Sequence, residues 1–156
     1  MARSTIDRHW PDKIALIADA FDTLNQQPQP HDAPAGESPR QRIHHLLHHL
    51  AEVFQDSIFS ECTPSLIDGA ERHSEVRRFH HEYSDRRRQA LVDAISDASA
   101  AGEVSRRVDP EIAAVAMAGA IVYRRVMTGE RFDPDRVADL VDTVLGEPPP
   151  APATTS

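Results

Sequence analysis

The stretch from Ile112 to Tyr123 constrains the fold more than any other part of this chain, because it contains no charged residue. Asp109 and Pro110 stand just before it in the order typical of a helix N-terminus, which predicts a helix from Glu111 to Met127. A helix of this composition has no polar face to turn toward water. The stretch therefore predicts a helix that is covered all round.

Apolar residues spaced three and four apart predict five further helices, and no segment alternates with a period of two. The predicted helices are Asp12 to Leu24, Pro39 to Phe54 with an end between Ser57 and Thr63, Pro64 to about His73, a long helix capped by Ser74 and stopped by Gly102, and one from Asp133-Pro134 to Gly146. The predicted fold class is therefore all-α, a bundle of about six helices without a β-sheet.

The length of 156 residues fits one domain of roughly 100–150 ordered residues. Residues 26–38 are rich in proline and polar residues, which predicts a loop, and three prolines after Glu147 predict a disordered tail over 147–156. The net charge of −8 argues against a basic protein that wraps around nucleic acid. The sequence contains no run of 18 apolar residues, so it predicts no membrane span. Charges among the first ten residues argue against an export signal. The single cysteine, Cys62, can form neither an intrachain disulfide nor a zinc site by itself, so a cytoplasmic location is expected.

Four histidines, His44, His45, His48 and His49, form two pairs at i, i+4 spacing on the second predicted helix. This spacing can place two imidazoles on one metal ion. The favoured interpretation is that the histidines fill the solvated face opposite the leucine stripe, because no HExxH pattern completes a ligand set. We expect no metal, no cofactor and no catalytic residues, since no nucleophile and base stand at a matching spacing. A His-rich metal-binding bundle remains the less favoured alternative.

The run Arg86-Arg87-Arg88 lies on the long helix, where projection at 100° per residue places Arg87 and His80 on its apolar stripe. A cation in that position needs a partner. It can pair with a carboxylate of the fold, extend its head group into water, or hold the acidic group of a ligand. The ion pair or the extended stem is the favoured interpretation.

The first residues combine small, hydroxyl and basic side chains in a way that suits the end of a DNA-reading helix, although a frayed terminus would explain them equally well. The candidate DNA contacts are Arg3, Ser4, Thr5, Arg8, His9 and Lys13. The stretch Ser4 to Leu16 resembles the junction after the recognition helix in tetracycline-repressor (TetR) family regulators. Arg86 to Leu91, Ala101 to Val104, Asp109 to Glu111, Tyr123-Arg124 and Thr128 to Glu130 follow in the order seen in the C-terminal domain of that family, so that the resemblance covers residues 3–146.

The resemblance implies a homodimeric transcriptional repressor that responds to an unknown small molecule. It divides the chain into a remnant of the recognition helix (1–11), a connecting helix (12–25), the proline-rich loop (26–38), a ligand-binding and dimerisation domain (39–146) and the tail (147–156). The first two helices of the helix-turn-helix are absent, and Asp7 replaces a tyrosine of the family that contacts phosphate. Operator DNA is therefore expected as a partner only if the missing N-terminal helices are present. The alternative is a stand-alone dimerisation module that antagonises full-length relatives.

The resemblance also implies two sets of functional residues. The ligand contacts expected among the middle helices are Phe54, Phe59, Leu66, Phe79, Tyr83, Met117 and Ile121, with His80 and Arg87 as polar contacts. The expected dimer interface consists of Ile112, Val115, Ala116, Gly119, Val122 and Tyr123 on the apolar helix and Val137, Leu140, Val141 and Val144 on the last helix.

Overall fold

A computed structural model describes residues 36–56 and 58–147 of the chain. Five α-helices are present in this part: α1 (Pro39–Asp56), α2 (Ile58–Arg72), α3 (Ser74–Ala100), α4 (Pro110–Tyr123) and α5 (Val137–Leu145). A π-helical turn, Arg124–Thr128, follows α4, and a 3-10 turn, Pro134–Arg136, leads into α5. The described residues contain no strand, so the all-α prediction is confirmed. The predicted helix from Asp12 to Leu24 and the tail beyond Glu147 lie outside the described residues.

The second helix begins earlier than predicted, at Ile58, and Pro64 lies inside it. Proline has no N–H to donate, so the helix forgoes one backbone hydrogen bond at that position. Ser60 and Thr63 before the proline and Ala70 after it are nevertheless all buried, and their spacing places them on one face of the helix. Packing of this face within the domain holds the helix together where the local sequence predicts its start.

The long helix α3 begins and ends through different kinds of contact. His73 occupies the N-cap position without a side-chain cap, so Ser74 is the first helical residue and not the predicted cap. At the other end Gly102 has φ +79°, its N–H donates to Ser99 O (3.2 Å), and the N–H of Glu103 donates to Ala98 O (2.8 Å). This pair of bonds is the Schellman motif, which explains why the helix stops at the predicted glycine.

Helix α4 and the 3-10 turn that leads into α5 both begin with an aspartate followed by proline, as the sequence predicts. The Asp109 carboxylate accepts a hydrogen bond from the N–H of Ile112 at 3.0 Å, and Asp133 accepts one from the N–H of Asp135 at 3.0 Å. The predicted helix from Glu111 to Met127 widens into the π-helical turn after Tyr123. The turn brings Arg125 Nε to the hydroxyl of the buried Ser60 on α2, at 2.6 Å.

The core lies between α1, α3, α4 and α5. Its fully buried large side chains include Ile43, Leu47, Ile95, Met117, Ile121 and Val141. Helix α2 packs on α1 and α3 and carries the exposed Cys62. None of the described helices is both long and apolar enough to span a membrane.

A buried arginine joins both ends of the described domain. Arg40, only 7% exposed, donates to the Asp142 carboxylate at 2.7 Å and to Gly146 O at 2.6 Å. The N–H of the same residue donates to the Glu103 carboxylate at 2.8 Å. These bonds tie the start of α1 to the turn before α4 and to the end of α5.

Candidate functional site

The clearest surface feature is an apolar strip on α4 that the rest of the described chain does not cover. Ile112 is 70% exposed, Val115 56% and Tyr123 59%, and Ala116 and Gly119 are also exposed. Their spacing of three and four places them on one face of the helix. We call these five residues the α4 strip. Met127, 69% exposed, lies beyond it in the π-helical turn.

The opposite face of α4 packs inward through Ala113, Ala114, Met117 and Ile121. One face of α4 is therefore covered within the single chain, and the prediction that the helix is covered all round would need a second chain on the other face. Exposed apolar residues that occur singly are ordinary, but a contiguous row of them marks an interaction surface.

The centre of the α4 strip consists of small residues. A Cβ atom added at Gly119 would meet no other atom within 4 Å, and Ala116 lies one turn before it. The larger side chains of Ile112 and Tyr123 stand at the two ends. This shape lets a second helix approach the middle of α4 closely.

The other residues predicted for the interface have mixed environments. Val122, Leu140 and Val144 are half-buried at the edge of the core. Val137 and Val141 are 3% and 0% exposed and belong to the core itself, so that their side chains are covered without a second chain.

The residues predicted to contact a ligand fall into two groups in the structure. Phe54, Met117 and Ile121 are buried in the core. Tyr83 is buried, and Phe79, His80 and Arg87 are half-buried along α3, with Leu66 half-buried on α2. The side chain of Phe59 lies outside what the structure describes, as do the six candidate DNA contacts between Arg3 and Lys13.

Arg87 differs from the two arginines beside it. Arg86 is exposed, whereas Arg88 forms ion pairs with Glu111 and with Asp85, the latter at 3.5 Å. The Arg87 Cζ lies 4.5 Å from the centre of the Tyr83 ring. Its Nε is shielded from solvent and makes no hydrogen bond within the described residues, a situation that costs about 1–3 kcal/mol for a buried donor.

The polar groups around Arg87 are held in their neutral forms. Burial raises the pKa of the Tyr83 phenol, although the Arg87 charge acts against this. Burial, and then the Arg87 charge, lowers the pKa of His49 on α1 below 6.5. Two turns before Arg87 on α3, burial and then His81 lower the pKa of His80. At neutral pH the cluster formed by His49, Tyr83 and Arg87 thus carries the single positive charge of the guanidinium; we call it the Arg87 cluster.

The structure corrects the interpretation of the histidines on α1. His49 is half-buried and lies close enough to Arg87 to feel its charge, so it does not simply fill a solvated face. Its position three residues after Leu46 and four before Val53, at the edge of the apolar stripe, is the sequence signal that could have indicated this. His44 is half-buried too, and burial followed by the charge of Arg40 lowers its pKa.

The other two histidines face carboxylates. His45 Nδ1 lies 3.5 Å from Glu37 Oε1, and His48 Nδ1 lies 3.7 Å from Glu52 Oε2. Within the ranges 36–56 and 58–147, no three or more metal-ligating side chains come together in a group that could hold a metal ion.

Comparison with known proteins identifies the family. Residues 33–144 match the family model described as tetracyclin repressor-like, C-terminal domain. A search of curated proteins finds no match. The matched range includes the first four described helices and almost all of α5. The chain therefore belongs to the tetracycline-repressor-like family and carries its C-terminal domain.

Proposed function

We propose that this chain is a TetR-like transcriptional regulator, a repressor, whose helical domain dimerises and senses a small molecule. The observation that carries the proposal is the α4 strip, an apolar surface on a domain whose family consists of regulators. A surface of this kind is typical of a homodimer interface, which uses the same patch on both protomers.

The order of side chains along the strip supports two-fold pairing. Ile112 and Tyr123 are equally far from the midpoint of the strip, and so are Ala116 and Gly119. If two copies of α4 cross antiparallel about a two-fold axis at that midpoint, each large end meets the large end of the other copy. The small centres then allow the two backbones to approach closely. Leu140 and Val144 on α5 would extend the contact at its edge.

The Arg87 cluster supports the sensing part of the proposal. Its residues stand on α1 and α3, which pack against each other. Clefts between helices that combine apolar walls with a few polar groups are common sites for small molecules. A ligand held there would bias the arrangement of the helices and thereby the geometry of the dimer.

Sedimentation equilibrium at micromolar protomer concentrations tests the dimerisation. We expect the mass of two chains, with a dissociation constant that a single substitution in the α4 strip raises strongly. The proposal is overturned if the measured mass is that of one chain at every protomer concentration up to roughly 100 μM.

A further inference from the structure

Arg87 stands on the face of α3 that turns toward the rest of the domain. Tyr83 lies one turn before it, and the buried residues Ala90, Leu91 and Ala94 follow it at helical spacing. The inward stripe of α3 is thus largely apolar, and near its middle it carries a guanidinium group. A charge in this position is costly unless something compensates it.

No carboxylate among the described residues pairs with Arg87, although partners are present for the comparable arginines. Arg40 has Asp142 at 2.7 Å, and Arg88 has Glu111. Arg125 donates to Ser60. An arginine that merely extended into water would keep its head group hydrated, but the Nε of Arg87 is shielded from solvent. Its neighbour is the neutral Tyr83, whose ring lies against the guanidinium and whose side chain forms a hydrogen bond with Arg87.

Among the described residues, the polar groups next to Arg87 are neutral, and apolar side chains lie farther along α3. His49 and Tyr83 are its polar neighbours, and neither is an anion at neutral pH. Leu66 on α2 and His80 on α3 stand seven residues before and after His73, so the α2–α3 hairpin brings them to the same level. Half-buried Leu66 and Phe79 therefore provide apolar surface about two helical turns, roughly 10–12 Å, from Arg87 along α3.

We propose that Arg87 is an anion-binding residue and that the effector of this domain is a small organic carboxylate with an apolar body. The carboxylate would accept hydrogen bonds from the Arg87 guanidinium, whose planar fork matches two carboxylate oxygens. The apolar body would lie against Leu66 and Phe79. This inference rests on the proposed sensing function and specifies the chemistry of its ligand.

Calorimetric titration with three probes tests the proposal. Decanoate has both features, decan-1-ol has only the apolar chain, and acetate has only the charge. We expect wild-type protein to bind decanoate at least tenfold more tightly than either of the other probes. Arg87→Gln should weaken decanoate binding about ten- to a hundredfold. Arg86→Gln removes the same charge from the exposed neighbouring position and should leave the affinity unchanged.

A second measurement needs no substitution and stays decisive if Arg87→Gln does not fold. The imidazole of His49 is subject to the charges of Arg87, Glu52, His45 and His48, and Arg87 acts most strongly among them. A carboxylate on Arg87 offsets that charge, so saturating decanoate should raise the pKa of His49 in an NMR titration. Decan-1-ol at saturation should leave this pKa unchanged.

Several outcomes would overturn the proposal. Equal affinities for decanoate and decan-1-ol, equal weakening by Arg87→Gln and Arg86→Gln, an unchanged His49 pKa, or no binding of decanoate would each do so. Sedimentation equilibrium on the same samples tests the dimer separately. If the protein is a dimer and binds decan-1-ol as tightly as decanoate, the proposed function stands. Only the proposal that the effector is a carboxylate is then refuted.

Discussion

Replacing Gly119 by arginine separates the stability of the single chain from the stability of the dimer. In one chain the new side chain has room, because an added Cβ meets nothing within 4 Å and the position is exposed. Glycine is a poor helix former, so the substitution should stabilise the isolated helix by about 0.5–1 kcal/mol. The same side chain would stand at the centre of the α4 strip, where the second copy approaches.

The effect on the dimer has the opposite sign and is larger. Two guanidinium groups related by the two-fold axis would be buried close to each other without a carboxylate, and the helices would be forced apart. The lost burial of Ile112 and Tyr123, each more than half exposed in one chain, adds to this. A total loss of about 3 kcal/mol is a conservative figure and corresponds to an approximately hundredfold weaker dimer.

Sedimentation equilibrium and thermal unfolding at several protomer concentrations measure both effects. The melting temperature of the wild type should rise with concentration, as it does when dimerisation is linked to folding, and that of Gly119→Arg should not. Ser84→Arg, which adds the same side chain to an exposed position of α3, is the matched control and should dimerise like the wild type. The reasoning is refuted if Gly119→Arg dimerises with unchanged affinity, or if its isolated chain is destabilised.

Three further predictions concern the stability of the domain at a fixed protomer concentration. Arg40→Met should lower the free energy of unfolding in urea by about 2–3 kcal/mol, because it breaks a largely buried network, whereas Arg72→Met in an exposed pair should change it by less than about 0.5 kcal/mol; similar losses would contradict the assignment. Asp109→Ala should lower the free energy of unfolding by about 1 kcal/mol, because α4 loses its N-cap, and Asp109→Asn should keep most of the stabilisation that the cap provides. Lowered folded-state pKa values mean that the unfolded chain takes up protons first, so stability should fall as the pH drops from above 6.5 toward the folded-state pKa. His49→Gln should make the free energy of unfolding depend less on pH in this range, and an unchanged pH dependence would show that His49 does not contribute.

Helix ends were predictable where local chemistry decides them. Asp109-Pro110, Asp133-Pro134 and Gly102 stand where the sequence predicts, since caps and left-handed glycines depend on adjacent residues alone. Pro64 was misinterpreted as a helix start because the packing of α2 decides its environment, and local propensity does not include that term.

For the candidate site, the sequence predicts which side chains of α3 face the domain interior, but not which residues of other helices lie beside them. Helical periodicity correctly turned Arg87 and Tyr83 inward, because both lie on one face of a single helix. The proximity of His49 depends on how α1 lies against α3, and periodicity within one helix carries no information about that. Periodicity within one helix also could not show that the α4 strip is exposed in the single chain. The composition of α4 indicates that the helix is buried, but it does not say which chain covers it.

The exposed Cys62 on α2 makes the domain suited to spectroscopy without further engineering. It is the single thiol of the sequence, so a nitroxide label attaches at one position in each chain. In a dimer the two labels form one pair, and their separation can be read by electron paramagnetic resonance. Because α2 packs against both α1 and α3, any displacement of this helix on effector binding would change that single distance.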